Sequence, residues 1–229
     1  MSKMLRTHVW VLLFRLLLLI AAFIFMFVDV DILLFTDFFT PGLERFFLWL
    51  IWFHLVFDML FRLIPNKIIT VGARKHFPKE SATPPFNDAN KKKLHRGALF
   101  SFLGWFLCTA VLLVVLYFFG VLTPRVVLII SLIYAVLDSL FILFFCPFQA
   151  LFMKNHCCNT CRIYNWDYLM MCMPLVLFPS FFSISLAGLS LLVFLQWEWA
   201  VIKRPAQFLP ETNPDLTCGN CTDKICKLR

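Results

Sequence analysis

Residues 168–204 read "YLMMCMPLVLFPSFFSISLAGLSLLVFLQWEWAVIKR", and the topology of the chain turns on the path this stretch takes. It is apolar almost throughout and well longer than the roughly 20 helical residues that cross a bilayer core of about 30 Å. Pro174 and Pro179 interrupt it, and Ser180, Ser183 and Ser185 follow the second break. At its end Trp197 and Trp199 run directly into Lys203 and Arg204, an aromatic-then-basic border typical of the cytoplasmic interface. One reading is a re-entrant hairpin: two short arms dip into the membrane and return to the same side. The serine hydroxyls would then satisfy carbonyls freed at the bend, since irregular backbone at depth is tolerated only where protein or water covers it. The other is a single kinked span, which would put the C-terminal tail on the opposite side. The hairpin is the favoured expectation.

The rest of the chain supplies the setting. Of its 229 residues 61% are hydrophobic, only 15% are charged, and 29 are phenylalanine. A soluble domain carries about a quarter charged residues, so this surface is expected to face lipid. Four further segments have the length and apolarity of spans: 8–28, 43–63, 97–119 and 126–145. The first is expected to be uncleaved, because its apolar run is longer than a secretory signal and Ala21 and Ala22 fall in mid-run. The fold expected is all-α: a polytopic transmembrane helical bundle of four clear spans plus the proline-interrupted fifth segment.

This gives a first transmembrane hairpin at 1–63, a basic loop at 64–96 and a second hairpin at 97–145. A cysteine-rich loop at 146–167, the fifth segment at 168–202 and a cysteine-rich tail at 203–229 follow. The net charge of +8 is uneven, with eight of the 21 basic residues between Lys67 and Arg96, whereas residues 29–42 hold no Lys or Arg. That asymmetry puts the N-terminus and the basic loop in the cytoplasm. It also reads as membrane orientation rather than nucleic-acid binding, for which no aromatic-interleaved basic groove is visible.

Two polar segments concentrate cysteine. "KNHCCNTCRIYNWDY" (154–168) holds Cys157, Cys158 and Cys161, and "CGNCTDKIC" (218–226) holds Cys218, Cys221 and Cys226. Each contains a C-x2-C knuckle, a spacing that lets two thiolates converge on one ion while the backbone turns between them. Two such pairs complete a tetrahedral zinc site, and an iron–sulfur cluster also takes four thiolates. Cys158, Cys161, Cys218 and Cys221 are the expected ligands, with Cys157, Cys226, His156 and Cys146 as alternates. Redox thiols, disulfides or plain cysteines are the other readings of the same clusters. Cys108 and Cys172, inside apolar segments, read as small core residues.

The run "CPFQALFMKNHCCNTCRIYNWDYLMMCMP" followed by "ETNPDLTCGNCTDKIC" resembles uncharacterised cysteine-rich multi-span membrane proteins of bacteria and archaea, over about residues 145–229. The resemblance implies a prokaryotic cell membrane. It implies no chemistry.

Ionisable residues inside spans point to function or to specific pairing. Arg15, His54, Asp58 and Asp138 form the expected intramembrane cluster, with Arg62 near a span end. Arg15 and Asp138 come out at equal depth from the cytoplasmic side, which predicts that they pair. A structural ion cluster, a proton or ion pathway and a substrate pocket are the three readings. Ser–His–Asp constellations, phosphate loops and paired catalytic carboxylates are not evident, so enzymatic activity stays open. Three functions compete: a structural or interaction protein with a zinc-like site, a membrane electron carrier with an iron–sulfur centre, and a small transporter working through the intramembrane charges.

Overall fold

The computed structural model describes residues 3–27, 42–64, 88–153, 161–217 and 220. Among them the chain is helical, without a strand. The elements are α1 (Lys3–Phe27), α2 (Leu43–Leu63), α3 (Asp88–Phe118), α4 (Pro124–Leu143), the short α5 (Asp167–Cys172) and α6 (Phe181–Lys203). All but α5 are long and apolar enough to cross a membrane, which makes this a multi-pass membrane protein.

The turn between α3 and α4 shows how local sequence sets the hairpins. Gly120 adopts a left-handed φ of 69°. Its N–H reaches the carbonyl of Tyr117, and the N–H of Val121 reaches that of Leu116. This pairing closes a helix with a glycine cap. Thr123 then caps α4, accepting from the Val126 N–H, with Pro124 in the first turn, where a missing N–H costs nothing.

Helix α1 runs antiparallel to α4. Leu5 and Leu12 pack with Leu143 and Val136, whereas Leu18 and Ala22 share a cluster with Val127 and Leu128. Helices α2 and α6 run parallel: Gln196 donates to the Leu63 carbonyl and Trp52 donates to Ser185, both contacts spanning 133 residues. Helix α3 begins at Asp88, inside the segment expected to be loop. Lysine, alanine and leucine are good helix formers, so the polar stretch simply extends the span. Near this start α3 meets a π-helical turn, Gln149–Met153. A Cβ on Gly97 would lie 2.9 Å from the Phe152 carbonyl oxygen, so only glycine permits this approach.

The 164–203 region is a hairpin with unequal arms, which corrects the expectation of two short ones. A 3-10 turn (Tyr164–Trp166), α5 and a second 3-10 turn (Met173–Leu177) form the short arm. The return arm is the whole of α6. Pro179 falls in the bend, before the Ser180 cap, so it breaks nothing within 181–203. The serines act at the bend as expected. Ser180 accepts from the Ser183 N–H, while Ser183 Oγ accepts from the Ser180 N–H and donates to the Phe178 carbonyl, a reciprocal capping box. The two arms lie antiparallel, because Trp166 packs on Phe194 and Trp197 bonds to Arg162.

One end of the bundle, here the loop end, therefore gathers the start of α1, the end of α2, the start of α3, the end of α4, both ends of the hairpin and the tail. Ala98, Ile142, Tyr164, Trp166, Trp197, Val201 and Phe208 form the apolar cluster that joins α3, α4, the hairpin and the tail.

Candidate functional site

Three arginines with shielded side chains organise the bundle around the short arm. Arg15, on α1, is only 2% exposed. Its Nη1 donates to Asp138 Oδ2 (2.9 Å), Ser139 Oγ (2.9 Å) and the Ala135 carbonyl (2.8 Å), all on α4. Its Nη2 donates to Asp58 Oδ2 of α2 (3.3 Å) and to the Tyr168 hydroxyl of α5 (3.5 Å). A single guanidinium thus ties four elements, which its five N–H donors in a planar fork make possible. The pair expected from equal depth, Arg15 and Asp138, is present. His54 completes the cluster: its Nε2 lies 3.8 Å from Asp58 Oδ2, and its ring meets Phe14 edge-on. The structure brings all four of Arg15, His54, Asp58 and Asp138 together.

Arg62 departs from them. Although it follows Asp58 by one turn, it reaches Asp167 (2.7 and 2.8 Å) and Asn165 (2.9 Å) on the short arm. Its guanidinium also lies over the rings of Tyr164 and Tyr168, at 4.8 and 4.3 Å from their centroids, a favourable placement for a desolvated cation. Arg162 makes the third assembly. It forks onto Glu198 of α6 at 2.8 and 2.5 Å, and Trp166 donates to the same carboxylate (2.7 Å). The Trp197 indole donates to the Arg162 carbonyl at 2.6 Å. Sequence reasoning missed this clasp. Its signal was Glu198, a carboxylate set between two tryptophans in an apolar run, and the only unknown was its partner.

Of the expected metal ligands, His156, Cys157, Cys158, Cys218, Cys221 and Cys226 lie outside the described residues. Cys161 and Cys146 are described, and both are buried. Among the described residues no three His, Cys, Asp or Glu side chains converge as a ligand set. Cys172 is a core residue as expected, fully buried. Cys108 is not: it is exposed on α3, because that helix stands at the edge of the bundle, where lipid is as apolar as a protein core.

Cys146 and Cys161 line one cavity of about 260 Å³ between α3, α4 and the short arm, which Asp138 and Asp167 also line. The cavity thus meets the Arg15 cluster at Asp138 and the Arg62 pair at Asp167.

Comparison with family models, with curated proteins and with solved structures finds no match.

Proposed function

We propose that the protein carries a cysteine-ligated metal centre at the loop end, held by Cys158, Cys161, Cys218 and Cys221, which fastens the 146–167 loop to the C-terminal tail. The supporting observation is the unequal hairpin. Trp197, near the end of α6, bonds to the carbonyl of Arg162, the residue after Cys161. Phe208, already in the tail, packs against Trp197 at 5.1 Å. Arg162 and Phe208 thus both contact Trp197, which brings the residue after the first knuckle and the start of the tail to one part of α6. Thiolates must be deprotonated to bind metal, and the metal supplies the charge that permits this. Without it, four thiols gain little from lying together.

On this reading the loop end faces the cytoplasm of a prokaryotic cell, where thiols stay reduced. The centre is a zinc-like clamp or an iron–sulfur cluster, and colour separates the two because zinc has a filled d shell. Full-length protein purified without oxygen or chelator should hold near-stoichiometric zinc or iron. Cys161→Ser and Cys221→Ser should each release it and expose the tail to protease. Trace metal only, in well-folded protein, would defeat the proposal.

A further inference from the structure

The cavity beside Asp138 has the chemistry of a binding site, independent of any metal. Its walls are aromatic, from Trp105, Tyr134, Phe141 and Phe148. Its polar groups are few and held in place. The Thr109 and Tyr134 hydroxyls share one hydrogen bond of 2.9 Å. A single bond uses one of two hydroxyl hydrogens, so the pair keeps a donor. One helical turn beyond Tyr134 stands Asp138. Its Oδ2 is engaged by Arg15, yet its side chain remains 17% exposed. An ionised carboxylate has about four lone-pair sites, so Asp138 keeps acceptor capacity where it borders the cavity. A donor and an acceptor one turn apart on a single helix match a group that both accepts and donates, namely a hydroxyl. Arg15 is shared between Asp138 and Asp58, but an ammonium only donates and would leave the donor of the Thr109–Tyr134 pair without an acceptor, whereas a hydroxyl uses both groups.

Size and access fit the same ligand. An apolar cavity of about 150 Å³ takes benzene, so this larger one takes a ring with a short tail. Cys108, which lines the cavity, is exposed within the apolar span of α3, so the approach is through the bilayer. We propose that this cavity binds a neutral, lipid-soluble alcohol or phenol, its hydroxyl between Tyr134 and Asp138 and its apolar body among Trp105, Phe141 and Phe148.

Photo-crosslinking of the full-length protein in lipid nanodiscs tests this. The probes are a diazirine-bearing decanol and a diazirine-bearing phenol, each beside its methyl ether, and a diazirine-bearing decylamine. One or both hydroxyl probes should label peptides from 105–109 and 134–148 saturably. The stronger of the two identifies the source, aliphatic or aromatic. The matching methyl ether should label these peptides about tenfold less, the loss expected when roughly 1.4 kcal/mol of binding is removed. Tyr134→Phe, which keeps the shape, should weaken the hydroxyl probe, and Leu137→Trp, which fills the space, should abolish its labelling. Labelling spread evenly over all helices would overturn the proposal. So would equal labelling by the ether, stronger labelling by the amine, or a Tyr134→Phe variant that labels like the parent.

Discussion

The apolar spans of α3 and α4 have near-equal mean hydropathy, yet 61% of the apolar window of α4 is buried against 17% for α3. In water such a difference would be read from the pattern of apolar residues. In a bilayer it is not, because a leucine gains nothing by leaving lipid for protein. What separates the two helices is their polar and small residues. Helix α4 offers Asp138, Ser139 and the Ala135 carbonyl to Arg15 and is drawn into the centre. Helix α3 touches its neighbours through Gly97 and Gly104 against Phe152, through Ala98 in the loop-end cluster, through Phe102 on Trp166, and through the Thr109–Tyr134 bond. It stays at the edge, and the cavity is the space it leaves.

The largest effect is expected where α4 is tied. Removing one partner of a buried pair leaves an uncompensated charge and costs about 3–5 kcal/mol. Arg15→Met, which strands Asp138 and Asp58 together, should lower the melting temperature in detergent sharply, and Asp138→Leu, which leaves Arg15 its longer contact with Asp58, should lower it less. The double variant should recover part of the loss, since groups in contact are not additive. Simple addition of the two losses would show that the pair does not hold α4.

A smaller effect is expected where α3 docks. A side chain at position 97 collides with the Phe152 carbonyl, and overpacking of this kind costs about 1–3 kcal/mol. Gly97→Val should loosen α3 from the 149–153 turn while leaving the Arg15 cluster intact. Faster hydrogen exchange in 94–104 with unchanged exchange in 127–140 would show it. Uniform change in both would mean that α3 is as integral as α4. The smallest effect belongs to Thr109→Val, which removes one interhelical hydrogen bond worth about 0.6 kcal/mol in a membrane. A loss as large as that of Arg15→Met would erase the distinction between the two helices.

The same physics explains what could be read beforehand. The spans were legible because each needs about 20 apolar residues whatever its neighbours. The Arg15–Asp138 pair was legible because depth follows from rise per residue. The Arg62–Asp167 and Arg162–Glu198 pairs were not, because both involve the short arm, whose depth depends on where the chain bends. Pro179 suggested a bend, but only the Ser180–Ser183 cap shows that a full helix begins immediately after it. The edge position of Cys108 was hidden for the reason that α3 and α4 look alike: apolarity alone does not distinguish lipid from core.

The hairpin returns the tail to the loop end, and everything proposed for the cysteines depends on it. Sidedness is therefore the direct measurement. Epitope tags are placed at both termini, and protease is added either to intact cells or to inverted membrane vesicles. The account predicts that both tags are cut in inverted vesicles and neither in intact cells. Tags that respond oppositely would put the termini on different sides of the membrane, and the two cysteine clusters could not share a metal.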